Sequence, residues 1–187
     1  MDVRALHEES LRSTGQFIGG VRADQWDAPS PCPGWDIRHI VSHLVAGNFW
    51  VRELGLGRTI EEVGKSLDGD LLQDDPVRAY EASAAAAAEA FAAEGAMERL
   101  WPLSYGERPG RVYARQRFID VLIHGWDIGT AAGQGPRLPA ELVEACTAIF
   151  DARPRMLRQW GFAELDTAPA AGDDPQARLL ALTGRRG

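Results

Sequence analysis

The chain of 187 residues has little cysteine: Cys32 and Cys146 lie far apart and form no CxxC pair. That excludes a disulfide framework and a zinc ribbon. It also lacks any excess of basic charge. Twenty Lys and Arg stand against 27 Asp and Glu, for a formal net charge of -7, which argues against a general nucleic-acid binder with its basic face. No apolar run approaches the roughly 18 residues that a membrane span needs. The opening MDVRALHEESLRSTG is too acidic and polar for a signal peptide, so the expected location is cytoplasmic, with no membrane partner. Polar and apolar residues nowhere alternate for more than a few positions, which leaves no sheet to predict, and no internal repeat is visible.

What is present is an ordinary globular balance, 45% apolar and 25% charged, in a chain long enough for one domain over 1–187 to bury a core without staples. Apolar residues from Arg4 to Val21 recur at loosely helical spacing. The run Ala28-Pro29-Ser30-Pro31-Cys32-Pro33-Gly34-Trp35 breaks that helix. Asp36 then suits the N-cap of a second helix, whose Ile37, Ile40, Val41, Leu44 and Val45 form one buried face and which is expected to reach about Leu56. Gly57 to Pro76 reads as loop with at most a short turn. Pro76 opens a third helix through the alanine-rich Ala82–Ala88 stretch. Trp101-Pro102 to Pro109-Gly110 is another break. Val112 to about Ala132 is a strongly apolar helix stopped by Gly133. A further helix starts at Pro139 and runs through Phe150 and on towards Trp160; Asp166 to Asp174 is loop, and Pro175 to Leu182 is a last short helix. Long helices joined by loops imply an all-α bundle.

The segment Arg117 to Gly133, RFIDVLIHGWDIGTAAG, carries the chemistry. Projected at about 100° per residue, Ile119, Leu122, Ile123 and Trp126 share one face and Asp120, His124, Asp127 and Ala131 the opposite stripe. Val121 and Ile128 flank that stripe, so the helix is apolar nearly all round, the mark of a buried helix. A buried carboxylate and imidazole need partners. A metal ion is one such partner, and an internal hydrogen-bonded pair is the alternative. Asp120 and His124 stand four apart, one turn apart on one face, a spacing that lets two side chains share an ion completed from another helix. Of the four histidines, His7, His39, His43 and His124, His43 at the edge of the second helix's apolar face is favoured over His39 as the third ligand. Two histidines and a carboxylate leave coordination positions open and suit zinc, nickel, iron or manganese. Cys32, between prolines, reads as a small buried hydrophobe, since no base stands beside it in sequence.

Two stretches resemble a known family. Pro31-Cys32-Pro33-Gly34-Trp35-Asp36-Ile37-Arg38-His39-Ile40-Val41-Ser42-His43-Leu44-Val45 is similar to the first signature of the metal-binding domain of mycothiol-dependent maleylpyruvate isomerase, in the wider DinB-like superfamily. Asp120-Val121-Leu122-Ile123-His124-Gly125-Trp126-Asp127 is similar to the second. The closing Leu179-Leu180-Ala181-Leu182-Thr183-Gly184-Arg185 resembles the C-terminus of a short actinobacterial branch. The resemblance implies a DinB-like four-helix bundle, here with an additional short C-terminal helix, holding one divalent ion, usually zinc, on His43, Asp120 and His124. Better-studied members carry glutamate where this chain has Asp120, and the isomerase itself has an extra C-terminal domain that this chain is expected to lack.

Around that centre, Asp127 has two readings: it holds a ligand histidine, or it satisfies a neighbouring helix. Trp35, Trp50 and Trp126 are expected in the core rather than a pocket. Arg38 is a candidate for an anionic substrate group, against a surface salt bridge as the alternative. Tyr105, Arg108 and Arg111 precede the helix of Asp120 and His124 and are candidates to line the site, and Arg111 and Arg38 are candidate cofactor-binding positions. The resemblance implies a metal-dependent enzyme, a thiol transferase or thiol-dependent isomerase. It would activate a small thiol such as mycothiol against a small electrophile. The alternatives are a metal-dependent hydrolase and a non-catalytic metal-binding or stress-response protein, a homodimer in some versions.

Overall fold

The structure is a computed structural model and describes residues 2–152 and 174–185. Its helices are α1 Val3–Gly19, α2 Ile37–Gly55, α3 Ile60–Val63, α4 Pro76–Ala92, α5 Gly110–Ala131, α6 Ala140–Ala152 and α7 Pro175–Leu182, with strands β1 Leu100–Leu103 and β2 Gly106–Pro109 between α4 and α5. The helix ends follow local chemistry. Asp2, Asp36 and Asp75 each accept a backbone N–H of the first turn of α1, α2 and α4, and Thr59 with Glu62 forms a reciprocal capping box on α3. Pro76 and Pro175 fill first-turn positions where a missing N–H loses nothing. Among the described residues no helix is long and apolar enough to cross a membrane.

α1, α2, α4 and α5 make a closed four-helix arrangement in which α5 packs on α1 and α2, and α4 packs on the same two helices from the other side. The all-α bundle with a short C-terminal helix is thus what the chain forms. Leu11, Ile18, Ile40, Leu44, Val121 and Ile128 fill its centre. A second core lies outside it. Phe118, Ile119, Leu122, Ile123 and Trp126 of α5 meet Leu142, Val143, Cys146 and Phe150 of α6 and Leu179 and Leu180 of α7. The face of α5 that the projection singled out as apolar therefore turns away from the bundle, towards α6 and α7. The interhelical fit with α1 is tight at Gly125, where an added Cβ would stand 2.2 Å from Thr14 Oγ1, whose hydroxyl donates to Val121 O at 2.9 Å.

The two strands correct the expectation of no sheet. They pair antiparallel with Leu100 opposite Pro109 and Leu103 opposite Gly106, and Trp101 is fully buried and donates its indole N–H to Ala96 O at 2.8 Å. Four-residue strands with proline at 102 and 109 give no alternation to detect, and proline is tolerated because a two-stranded ribbon has only edges. The expected continuation of α6 to Trp160 and the loop from Asp166 to residue 173 lie outside the described residues.

His7 sits on α1 with 0% exposure and stacks edge-on to Phe91 at 5.1 Å. Neither ring nitrogen has a hydrogen-bond partner among the described residues. Burial, aided by the Arg117 charge, pushes its pKa from 6.5 down to about 3. The folded protein holds His7 neutral and the unfolded chain protonates it below pH 6.5. The stability this neutral form confers is complete above pH 6.5 and is lost as pH falls towards 3, at roughly 1.4 kcal/mol per pH unit. Urea unfolding at pH 6 and pH 5 should show this loss in the wild type and a loss smaller by about that amount in His7→Leu. Equal losses in the two proteins would contradict the neutral buried imidazole.

Candidate metal centre

The loop before α2 shapes one wall of the site. Trp35 N–H donates to Cys32 O at 3.1 Å and Ser30 N–H to Trp35 O at 2.9 Å, and Gly34 takes φ +81°. Pro33 and Gly34 are the central pair of a tight turn that requires positive φ at its third residue, which glycine supplies. This turn lays Trp35 against both histidines, parallel to the His124 ring (centroids 5.8 Å apart, planes 11°) and edge-on to His43 at 5.1 Å. Trp126 is in the core as expected. Trp35 instead forms a side of the site, because the turn swings it across the start of α2.

His43 comes from α2; Asp120 and His124 come from α5, one turn apart. His43 Nε2 lies 3.2 and 3.3 Å from the two carboxylate oxygens of Asp120, and His124 Nε2 lies 3.5 Å from Oδ1. One ligand atom from each of the three falls within 4.8 Å of the others, a grouping that could hold a metal ion. The His43 and Asp120 side chains are 38% and 30% exposed, so the cluster opens to solvent on one side while His124 is nearly buried.

Each ligand candidate has a support. Arg117, one turn before Asp120, donates from Nη1 to Asp120 Oδ2 at 2.6 Å and from Nη2 to Asn48 Oδ1 at 3.1 Å. Its guanidinium lies so close to α2 that a Cβ on Gly47 would come within 2.4 Å of Nη1. Burial raises the Asp120 pKa, but Arg117 first and then the two histidines outweigh it and hold the carboxyl well below the usual range. It stays ionised at any working pH. On the other side, His124 Nδ1–H donates to Asp127 Oδ2 at 3.0 Å, which turns Nε2 towards Asp120. Asp127 is fully buried and receives a bidentate pair from Arg185, Nε to Oδ1 at 3.1 Å and Nη2 to Oδ2 at 2.8 Å. Asp127 thus bonds His124 within α5 and, instead of a neighbouring helix, meets Arg185 just beyond α7.

The remaining candidates lie elsewhere. His39 presents Nδ1 to Asp36 at 2.8 Å in the exposed first turn of α2. Arg38 lies 4.0 Å from Asp27 and 5.9 Å from the Trp26 ring centroid, the surface arrangement. Arg111 is exposed in the first turn of α5, and Arg108 stacks over Tyr105 at 5.5 Å. Tyr105 and Trp50 line a cavity further along α5. Two residues were not foreseen. Arg185 had no sequence signal tying it to Asp127, 58 positions earlier. Cys32, read as lacking a base, forms with His124 and Asp127 a second group of potential ligand atoms within 4.8 Å. Burial and the Asp127 charge push its thiol pKa up, and Asp127 is already committed to His124 and Arg185, so this second group is the poorer cradle.

The Asp127–Arg185 pair should be strongly coupled, because removing one partner of a buried ion pair costs about 3–5 kcal/mol. In denaturant unfolding of Asp127→Ala, Arg185→Ala and the double variant, the coupling energy should exceed about 1 kcal/mol. Additive losses would mean that Arg185 does not brace the helix carrying His124.

Residues 7–129 match the mycothiol maleylpyruvate isomerase N-terminal domain, a stretch that takes in His43, Asp120, His124 and Asp127 and stops short of Arg185. Uncharacterized proteins from two Mycobacterium tuberculosis strains, CDC 1551 / Oshkosh and ATCC 25618 / H37Rv, are each 34% identical over 191 aligned positions, covering 99% of this chain and 98% of the relative. No solved structure matches. With its two signature stretches converging on one cluster between α2 and α5, the chain belongs to the family of the mycothiol maleylpyruvate isomerase N-terminal domain.

Proposed function

We propose that the chain is a divalent-metal-dependent enzyme that activates a low-molecular-weight thiol, of the mycothiol kind, for transfer to a small electrophile or for its isomerisation. The observation that carries this reading is the convergence of His43, Asp120 and His124, from two helices, at a solvent-open edge of an otherwise buried helix. The donor set fits an ion such as zinc, with nickel, iron and manganese as other possibilities: two imidazole nitrogens and one carboxylate that is already ionised. An ion held there would supply a Lewis acid that stabilises a bound thiol as thiolate at neutral pH.

The chain's own residues do the positioning. Asp127 fixes the tautomer of His124, and Arg185 fixes Asp127. Arg117 anchors Asp120 and offsets its charge, and Trp35 shields one side of the cluster from water. The hydrolase alternative needs a free general base, and Asp127 is buried and engaged on both oxygens. That observation favours thiol chemistry over water activation.

Elemental analysis of untagged protein should find a divalent ion, lost in His43→Ala, Asp120→Ala and His124→Ala, and the loaded protein should accelerate addition of mycothiol to an epoxide or activated alkene. A folded chain that takes up neither zinc nor nickel would reduce the cluster to a hydrogen-bonded core. A loaded chain that neither binds nor transfers thiol would favour the non-catalytic reading.

A further inference from the structure

Half-exposed positions recur from the cluster along the seam between α2 and α5, on either side of the buried Arg117. On α2 they are His43, Ala46, Gly47 and Trp50, and on α5 they are Asp120 and Gln116. The two helices run antiparallel here, since His43 faces Asp120 and Leu44 O accepts from Arg117 at 3.4 Å, while Leu54 shares a core cluster with Tyr113. At the far end of the seam lies a cavity of about 260 Å³ walled by Trp50, Leu54, Ile60, Leu103, Tyr105 and Tyr113, with Ser104 at its edge. The hairpin supplies its outer wall, and Tyr105 reaches back to hydrogen-bond Gln116, one turn from Asp120. Trp50 follows His43 by seven residues and Tyr113 precedes Asp120 by seven, so cavity and cluster are separated by two turns, about 10 Å.

Among the described residues no charged side chain lines this cavity. Its walls are mainly aromatic and aliphatic, and its polar side-chain groups are the hydroxyls of Ser104, Tyr105 and Tyr113. With no cation to pair with it, a carboxylate-bearing thiol would be poorly matched here. The cavity suits an uncharged planar group: an apolar cavity of about 150 Å³ accommodates benzene, and this one is larger. We propose that the cavity between the hairpin and α2 binds an apolar, aromatic-sized group of the electrophilic substrate, whose reactive end lies along the seam at His43 and Asp120. The inference rests on the metal-centre reading for the location of that reactive end, and on the cavity alone for the apolar group.

The experiment has two arms, both read by calorimetry. In the first, 2-naphthol is titrated into metal-free protein, where it should bind, with the affinity falling at least tenfold in Ile60→Trp and Ser104→Trp, which fill the cavity from its outer side. No binding, or binding unchanged in both variants, would overturn the proposal. In the second, zinc-loaded protein is titrated with acetohydroxamic acid and with phenylalkyl hydroxamic acids of increasing chain length. Affinity should rise at least tenfold as the chain comes to span about 10 Å, and fall back in Ile60→Trp to the acetohydroxamate value, which itself stays unchanged. Acetohydroxamate binding with no dependence on length would overturn the link between cavity and cluster. Naphthol binding without any hydroxamate binding would instead defeat the metal-centre reading and, with it, the substrate role of the cavity.

Discussion

Burial of α5, complete from Val121 to Gly129, is the constraint from which the site follows. One face packs into the bundle through Val121 and Ile128, another against α6 and α7 through Phe118, Leu122 and Ile123. A charged group on such a helix has little access to water, and burying it is costly unless the protein supplies a partner. The result is an ordered chain of charges along one stripe: Arg117 on Asp120, Asp120 against His43 and His124, His124 on Asp127, Asp127 on Arg185. Each member is oriented by the next, so the two histidines and the carboxylate are held by neighbours on both sides rather than by their own rotamers.

The same arrangement shows how C-terminal residues reach a site built from α2 and α5. α7 docks through Leu179 and Leu180 on the outer core, and the chain just beyond it delivers Arg185 to Asp127. Charge on Asp127 is thereby compensated from the end of the chain and charge on Asp120 from within α5. Trp35, brought over by the Pro33-Gly34 turn, closes the face between them. Three distant stretches of sequence thus meet around the His124–Asp127 pair.

Much of this was legible in the sequence because helices advertise themselves locally. The 3.6-residue spacing, the Asp36 cap and Pro76 fixed α2 and the start of α4 to within a residue or two, and the all-round apolarity of Arg117 to Gly133 identified the buried helix and its polar stripe. The choice of His43 over His39 follows from the same projection; His39 presents Nδ1 to the N-cap Asp36. What could not be read was set by tertiary contact. The hairpin is too short and proline-marked to carry a period. Trp35 and Trp50 look like core residues until the turn and the hairpin give them a site and a cavity to line. Arg185 and Cys32 acquire partners only through chain reversal over long separations.

The central claim is that His43, Asp120 and His124 hold a single divalent ion and leave part of its coordination open. X-ray absorption at the zinc edge of the loaded protein tests it most directly. The account predicts nitrogen and oxygen scatterers alone, at about 2.0–2.2 Å, with an imidazole count of two that falls to one in His43→Ala. A sulfur scatterer near about 2.3 Å would show Cys32 in the coordination sphere, and an unchanged spectrum in His43→Ala would show that the ion lies elsewhere. Either result would contradict it.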